Sequence, residues 1–351
     1  MIFNLNALPG TYGDCLWIEY GISSKLNRIL IDGGTGSTKT EILKMISALP
    51  ESEREFELLV VTHLDKDHIQ GILSLLSDTT LGFKVKQIWF NAWQHLPEGQ
   101  GALPFSAKQA EELSACIVRH GIPWNSSFEG KAVMLGDDEL PVINLDGGMK
   151  FTLLSPSKEQ LAALKPVWVS ELLKLKLPPG YGVATPDDQI ERLSPNEPNV
   201  EALNQLPFTE DKSEANASSI AFLAEYAGKT VLFTGDALPA TVLDGLNRLA
   251  PSTKLKVDLY KLSHHASAGN TSPDLIKKLH CSKFLISTNG SIYHHPAPVT
   301  IARLIKLSAP NPELIFNYRS KYNEIWDSDG LRLIHKYRTS YPKAEGISIN
   351  L

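Results

Sequence analysis

The sequence predicts an α/β fold built in layers, and two observations predict it. Apolar runs of strand length alternate with helical segments over residues 1–92 and again after about residue 216. Short connections join these segments, and such alternation favours sheets covered by helices. In addition, side chains that bind metals follow the ends of several predicted strands.

The composition is that of an ordinary globular protein. The 351 residues are 42% hydrophobic and 21% charged, which is enough for one large core or two small ones. The net charge of −5 gives no overall basic field of the kind that attracts nucleic acid. A local basic groove stays open at Lys254, Lys256 and Lys261, or at Arg319 and Lys321.

The cell compartment predicted from the sequence is the cytoplasm. Cys15, Cys116 and Cys281 are scattered and odd in number, which indicates buried thiols and neither a disulfide framework nor a cysteine zinc site. The start lacks the pattern of a signal peptide, and no run of about 18 apolar residues is present, so we expect no membrane partner.

The elements are predicted in chain order from apolar periodicity. Residues 1–92 are expected to form strands at 2–8, 15–20, 28–32, 56–61 and 85–90, with helices at 39–49 and 67–76. Residues 216–351 are expected to form strands at 220–226, 230–233, 256–262, 283–287, 314–318 and 331–337, with helices at 239–249, 272–279 and 299–307. The Ala227-Gly228-Lys229 segment predicts a hairpin.

The middle of the chain breaks this rhythm. Helices are predicted at 107–120 and 158–175, short strands at 132–135 and 150–154, and a long loop at 178–213 that is rich in Pro, Asn, Asp and Gln. We therefore expect a single domain whose core is 1–92 and 216–351, with an insertion or cap at about 93–215. A long loop near a site often selects substrate, and a surface excursion is the alternative.

The segment Thr62-His63-Leu64-Asp65-Lys66-Asp67-His68 lies between a predicted buried strand and a predicted helix. It places two imidazoles and two carboxylates in one short turn, and these groups suit zinc, manganese or iron. A solvated acidic turn would explain two aspartates but not four ligand types packed so closely.

Other metal-capable side chains also follow predicted strands. Asp32 ends the third strand, although a turn or helix cap would explain it equally well. The remaining candidates at strand ends are Asp236, His264, His265 and His295. Open α/β sheets gather ligands at the carboxyl ends of their strands, so we expect these segments to meet.

The pattern Thr-His-x-Asp-x-Asp-His, then Thr234-Gly235-Asp236, then Ser263-His264-His265-Ala266-Ser267, resembles the metallo-β-lactamase superfamily. Within it, the chain resembles the branch formed by the metallo-β-lactamase domain of the competence protein ComEC and its stand-alone relatives. The segments that carry this likeness are Tyr12-Gly13-Asp14-Cys15, Ile29 to Gly34, Asn216 to Ile220, Lys261 to Ser267 and Tyr293 to Pro296. The likeness covers about residues 1–92 and 216–318.

The resemblance implies a four-layer αβ/βα sandwich with one or two Zn²⁺ or Mn²⁺ ions between the sheets. By this likeness His63 and Asp65 hold the first metal, while Asp67 and His68 hold the second together with His265. Asp236 bridges the two, and Asp32 orients the ligand turn from behind. His264 or His295 contacts a phosphate or protonates the leaving group, and the choice between His264 and His265 as ligand stays open.

The sequence departs from the superfamily pattern at two places. Asp65 stands where the superfamily has a histidine, which makes the first site richer in oxygen and favours manganese as well as zinc. The usual extra histidine before Thr234 has no match. Asn216 lies roughly there, and together with Ser219 it is a candidate for binding a phosphate oxygen; a strand-entry turn is the alternative.

The function predicted from this resemblance is a metal-dependent phosphodiesterase or nuclease that acts on DNA or another phosphodiester, with Asp67, His264 and His295 in the reaction. A metal ion supplies hydroxide from water near neutral pH and holds the attacked phosphate. The alternatives are a lactone or thioester hydrolase of the same fold, or a non-catalytic binding module. The resemblance also implies a partner protein from the same operon, as in multi-protein systems for defence against phage.

Overall fold

We analysed a computed structural model of the chain, which describes residues 1–97, 108–174 and 197–351. Eighteen strands are found in these residues: β1 (Ile2–Ala7), β2 (Leu16–Ile22), β3 (Lys25–Ile31), β4 (Glu55–Phe56), β5 (Leu58–Val60), β6 (Lys84–Val85), β7 (Ile88–Trp89), β8 (Val142–Asn144), β9 (Lys150–Ser155), β10 (Ala221–Tyr226), β11 (Lys229–Phe233), β12 (Leu255–Lys256), β13 (Leu259–Lys261), β14 (Leu279–His280), β15 (Lys283–Ile286), β16 (Glu313–Phe316), β17 (Arg338–Ser340) and β18 (Ile347–Asn350).

The same residues form ten α-helices: α1 (Lys39–Ser47), α2 (Lys66–Leu76), α3 (Lys108–Arg119), α4 (Lys158–Lys174), α5 (Val200–Asn204), α6 (Glu214–Ala217), α7 (Pro239–Leu249), α8 (Pro273–Lys278), α9 (Pro298–Leu307) and α10 (Asp329–His335). Within these residues, no helix has the length and apolar character needed to cross a membrane.

Two large sheets organise the fold. The first has six strands in the order β18-β1-β2-β3-β5-β7, and the second has eight in the order β17-β16-β15-β13-β11-β10-β9-β8. Strands β3, β5 and β7 run parallel, as do β11, β13, β15, β16 and β17. Parallel neighbours require helical crossovers, so their carboxyl ends lie at one edge of each sheet.

Three hydrophobic cores define four layers. One core lies between the sheets, where Ile18, Val60 and Phe222 pack. A second joins the outer face of the first sheet to α1, α2 and α3, and a third joins the outer face of the second sheet to α7, α8 and α9. The alternation of buried faces along β3 and β5 sends neighbouring side chains into different cores. The α/β sandwich predicted from the sequence is confirmed.

The middle region contributes strands to the sandwich. Strand β9 pairs antiparallel with β10, and β8 pairs with β9, so both extend the edge of the second sheet. Helix α3 packs against α2. These elements come from residues for which we expect an insertion or cap.

Five local predictions are wrong or incomplete. Residues 132–135 form no strand, because Val133 exchanges both backbone hydrogen bonds with the Asn91 side-chain amide, at 2.8 Å each. Residues 331–337 are mostly helix α10, since Ser328 caps it by accepting from the Leu331 N–H. The predicted strands 56–61, 85–90 and 256–262 are each interrupted, giving β4 with β5, β6 with β7, and β12 with β13.

The loop predicted at 178–213 contains a helix in its described part. Helix α5 forms at Val200–Asn204 because Asn199 caps its N-terminus, at 3.0 Å from the Ala202 nitrogen. Val200 is buried against the third core, and Glu201 pairs with Lys306 on α9. The cap and these contacts stabilise a short helix within the loop that the polar composition predicts. Residues 178–196 of that loop lie outside the described part of the chain.

Candidate metal centre

The candidate side chains meet between the carboxyl ends of the parallel strands in the two sheets. The loop after β3 carries Asp32, the loop after β5 together with the first turn of α2 carries the His63–His68 turn, and the loop after β11 carries Asp236. The loops after β13 and β15 carry His264, His265 and His295. Most of these side chains are buried, and Asp65 is the exception, with 40% of its side chain exposed.

The ligand turn is tied to both sheets through Asp32 and Thr62. Asp32 Oδ1 accepts a hydrogen bond from the Thr62 N–H at 2.7 Å, and its Oδ2 accepts from Thr62 Oγ1 at 2.8 Å. Asp32 Oδ2 also lies 2.8 Å from His68 Nδ1. The Thr62 carbonyl accepts from the Ile220 N–H at the start of β10. Because all these contacts are buried, the turn is held in one orientation relative to each sheet.

Two glycines allow the loops to approach closely. A Cβ on Gly13 would lie 1.9 Å from the Asp67 carbonyl oxygen, and one on Gly235 would lie 2.9 Å from the Thr62 Cβ. Gly235 also has φ +49°, in the left-handed region that glycine accepts at low cost. A larger residue at either place would push Asp67 or Asp236 away from the centre.

The first ligand group contains His63 and Asp236. His63 Nε2 lies 3.5 Å from Asp65 Oδ2 and 3.8 Å from Asp236 Oδ2. His68 Nε2 lies 3.4 Å from Asp236 Oδ1. The two oxygens of Asp236 therefore face different imidazoles, which is the arrangement that a bridging carboxylate needs.

The second ligand group contains Asp67, His68 and His265. His265 Nε2 lies 3.3 Å from Asp67 Oδ2, and His68 Nε2 lies 3.8 Å from the same oxygen. One donor atom from each of the three residues falls within 4.8 Å of the others. The group is fully enclosed by protein, apart from a slight exposure of Asp67.

The donor atoms of both groups fit a metal. Within the described part of the chain, the Nε2 atoms of His63, His68 and His265 and Oδ1 of Asp236 are buried without a hydrogen-bond partner. Zinc with ligands at about 2.0–2.1 Å in a tetrahedron separates its ligand atoms by about 3.3 Å, close to the shorter spacings seen here. Buried polar atoms without partners are costly, and a shared cation would satisfy them.

The carboxylates of the centre raise the pKa of two imidazoles that would bind the metal. Burial alone would lower the pKa of His68, but Asp236, Asp32 and Asp67 raise it well above its usual value. Likewise burial would lower the pKa of His265, but Asp14 and then Asp67 raise it to about 9. Metal binding to this set must therefore release protons.

The carboxylates of the centre shift in the opposite direction. Burial alone would raise the pKa of Asp236, but His68 and His264 hold it well below its usual value. Burial would also raise the pKa of Asp67, and His68 and His265 outweigh that effect and lower it. Both carboxylates are therefore ionised near neutral pH and available as ligands.

His295 lies beside the centre and differs from the ligand imidazoles. Its ring centroid lies 5.4 Å from that of His264, and its Nε2 is buried without a hydrogen-bond partner in the described residues. Burial, followed by the neighbouring His264 and His265, holds the pKa of His295 well below its usual value. It is therefore neutral near pH 7.

The two candidates for phosphate binding are buried among protein groups. Ser219 is fully buried, and its hydroxyl accepts from the Asp236 N–H at 3.2 Å. Asn216 Nδ2 donates to Asp211 Oδ2 at 2.6 Å, and it also lies 3.3 Å from His264 Nδ1. The predicted phosphate role of both residues stays a prediction.

Sequence reasoning missed four residues that support the centre. Lys261 is only 1% exposed; its Nζ pairs with Asp14 and donates to the Leu262 carbonyl, so it does not line a surface groove. Asp14 Oδ1 lies 3.4 Å from His265 Nδ1, whose proton goes to the Ser287 carbonyl at 2.8 Å. Asp14 lies in a segment that carries the family resemblance, so that signal was available. Asp211 and Asn270, discussed below, lie outside every motif.

The chain is similar to known proteins only at low sequence identity. No protein-family model matches the chain. The chain is 24% identical over 285 residues to ComE operon protein 3 of Bacillus subtilis (strain 168), an alignment that covers 77% of this chain. The chain spans about a third of the length of that relative, 33%.

Two solved structures align with most of this chain at low sequence identity. The CmlA β-hydroxylase E377D mutant superposes with a TM-score of 0.43 and 12% identity, covering 99% of this chain and 54% of that one. YhfI from Bacillus subtilis, a metallo-β-lactamase fold protein, superposes with a TM-score of 0.40 and 9% identity, covering 99% of this chain and all of that one, 100%. The chain therefore folds as the four-layer αβ/βα sandwich that its resemblance to the metallo-β-lactamase superfamily implies.

Proposed function

We propose that this chain is a metal-dependent phosphodiesterase or nuclease. The observation that supports it most directly is the placement of Asp236 between two ligand groups, with Oδ2 toward His63 and Oδ1 toward His68. A pair of metals, Zn²⁺ or Mn²⁺, supplies Lewis acidity when bound and stabilises charge on a phosphodiester. Hydrolysis of a phosphodiester makes use of such a pair.

The residues take separate roles in this proposal. His63 and Asp65 would hold the first ion, and Asp67, His68 and His265 would hold the second. Asp236 would serve both, since its two oxygens face different imidazoles. Asp32 keeps the His68 ring oriented through its bond to Nδ1. The exposed side of Asp65 leaves the first position open toward solvent, where a substrate can enter.

His295 contacts the phosphate and supplies the proton for the leaving oxygen. A neutral imidazole donates a hydrogen bond to a phosphate oxygen, and the negative charge of the phosphate raises the pKa of that imidazole. His295 would therefore gain a proton when the substrate binds and pass it to the leaving group. Asn216 and Ser219 are the predicted phosphate contacts beside it.

A short, single-stranded or nucleotide substrate fits the chain better than a long duplex. The net charge is −5, and one of the three lysines proposed for a groove, Lys261, is buried in an ion pair. The net charge of this chain is negative, so a partner protein from the same operon would supply the basic surface that binds nucleic acid. The name of the similar Bacillus subtilis protein, ComE operon protein 3, supports that part of the proposal.

The test measures bound metal and hydrolysis together. Purified protein is assayed with bis-p-nitrophenyl phosphate and with single-stranded DNA, with and without Mn²⁺. Asp67→Ala is expected to abolish hydrolysis, and the double variant Asp67→Ala, His68→Ala to lose the metal. The exposed carboxylate variant Asp78→Ala is the matched control and should keep both.

Two results would contradict the proposal. Metal retained in the double variant would show that the ligand assignment is wrong. Bound metal with no phosphodiester cleavage would point instead to lactone or thioester hydrolysis, which the same centre can perform, or to a chain that binds without catalysis. Phosphodiester cleavage that begins when the operon partner is added would support the phosphodiesterase proposal again.

A further inference from the structure

We propose that His264 is a ligand of the first metal position, and that Asn270 and Asp211 fix its ring for that purpose. This inference rests on the proposed metal centre and refines it. The sequence lacks the histidine that the superfamily places between the first motif and Thr234. The inference also gives the two histidines beside the centre different roles. His264 is a metal ligand, and His295 is the proton donor to the leaving oxygen.

The hydrogen bonds around Asn270 determine which nitrogen of His264 carries the proton. Asn270 Nδ2 lies 3.0 Å from Asp211 Oδ2 and 3.0 Å from the Asp236 carbonyl, and both of these atoms only accept. The amide oxygen of Asn270 must therefore face the other way, where it lies 3.1 Å from His264 Nδ1. A flipped amide would place its oxygen against two acceptors.

The proton of a neutral His264 therefore sits on Nδ1. Asn270 Oδ1 accepts it, so the lone pair is on Nε2, at the opposite side of the ring. That Nε2 lies 3.8 Å from Asp236 Oδ2, and His63 Nε2 lies at the same distance from the same oxygen. A lone pair is what a metal ligand presents, whereas an acid in this position would need its proton on Nε2.

The other ligand imidazoles follow the same rule. His68 turns Nδ1 to Asp32 at 2.8 Å, and His265 turns Nδ1 to the Ser287 carbonyl at 2.8 Å, each with Nε2 toward the centre. Metal-binding histidines almost always donate their second nitrogen to such a partner. His264 repeats this arrangement, with an amide oxygen in the place of the carboxylate or carbonyl.

Asp211 anchors this arrangement from the middle region of the chain. Its Oδ2 accepts from Asn216 and Asn270, at 2.6 and 3.0 Å, and its Oδ1 accepts from the Ser213 N–H at 2.9 Å. The same Oδ2 lies 3.8 Å from His264 Nδ1. One carboxylate therefore holds both amides that border the His264 ring. Asn216 Nδ2 donates to Asp211 at 2.6 Å, and it lies farther from His264 Nδ1, at 3.3 Å, than Asn270 Oδ1 does, at 3.1 Å, so Asn270 is the partner that sets the tautomer.

The experiment counts metal ions and does not depend on turnover. Metal-free protein is titrated with Co²⁺, whose visible absorption reports each occupied position, and stoichiometry is checked by equilibrium dialysis with Mn²⁺. We expect His264→Ala to lose the first position and keep the second. Asp211→Ala and Asn270→Ala remove no proposed ligand, and we expect each to weaken the first position by about 10- to 100-fold.

Controls separate this inference from the proposed function. His280→Ala removes an exposed histidine and should bind metal as the natural chain does. His295→Ala should keep both positions while losing hydrolysis. Full binding at both positions in His264→Ala would overturn the inference and leave the phosphodiesterase proposal intact. If the natural chain fills both metal positions but cleaves no phosphodiester, while His264→Ala loses the first position, the phosphodiesterase proposal is overturned and the ligand assignment stands.

Discussion

At the scale of single residues, Asp32 determines the orientation of a ligand. Its carboxylate accepts three buried hydrogen bonds, from Thr62 N–H, Thr62 Oγ1 and His68 Nδ1. Asp32→Asn would place an amide N–H₂ against one of these donors, and we expect metal affinity to fall by about 10- to 100-fold. Competition with a chromophoric chelator measures it. Asp78→Asn is the exposed control, and equal loss in both variants would contradict the role given to Asp32.

A second residue-scale prediction concerns the ion pair of Lys261 and Asp14. Both side chains are almost completely buried, at 1% and 2% exposure. Lys261→Met leaves the Asp14 charge without its partner, so we expect the free energy of unfolding to fall by about 3–5 kcal/mol. Urea denaturation measures this change, and Lys256→Met, at an exposed lysine, should change it little. Adding Asp14→Leu to Lys261→Met should recover part of the loss; a double variant less stable than the single one would contradict this account.

At the scale of elements, helix α2 is positioned by the close contact of two glycines. A Cβ on Gly71 would lie 1.8 Å from the Gly33 carbonyl oxygen, in the loop after β3. Gly71→Ala gains up to about 1 kcal/mol of helix propensity but forces α2 away from the sheet. We expect a net destabilisation of about 1–3 kcal/mol, with weaker metal binding because α2 carries Asp67 and His68.

The control for the helix prediction is Gly82→Ala, since a Cβ there would meet no atom within 4 Å. Thermal unfolding and metal titration of the two variants give the comparison. A Gly71→Ala protein as stable as the natural chain would show that α2 and the Gly33 loop can separate without cost.

At the scale of the whole molecule, the stability of the metal-free protein should depend on pH in a defined direction. The folded-state pKa values of His68 and His265 are raised, the latter to about 9. Their protonation stabilises the fold fully below the unfolded value of about 6.5, and that contribution is lost as pH rises toward 9. The lowered pKa values of Asp67 and Asp236 act on the acid side, where stability is lost as pH falls below about 3.8.

We therefore expect the chelator-treated protein to lose stability between pH 6.5 and 9, while its affinity for metal rises over the same range. The two trends are opposite because the metal and the protons compete for the same nitrogens. Urea denaturation at several pH values measures the first trend, and Co²⁺ titration measures the second. His265→Ala should flatten part of both curves, and a pH-independent affinity would contradict the competition.

The sequence by itself determined the class of the fold and the chemical types at its centre. Apolar periodicity is local, so it marked most strands and helices, and the ligand turn at His63–His68 lies within seven consecutive residues. Strand ends were readable because each ligand cluster directly follows an apolar run. The family resemblance added the sandwich, and the four layers confirm it.

The tertiary structure decided what depends on contacts between distant segments. Asp14 and Lys261 lie 247 positions apart, so no local pattern showed that this lysine is buried. Helix α10 replaced a predicted strand because a serine caps it, and Asn91 took the backbone hydrogen bonds of Val133. The tautomer proposed for His264 follows from contacts that join it to Asn270 and, through Asn270, to Asp211. Hydrogen-bond partners and burial arise only when the chain is folded, whereas residue type and periodicity exist before it.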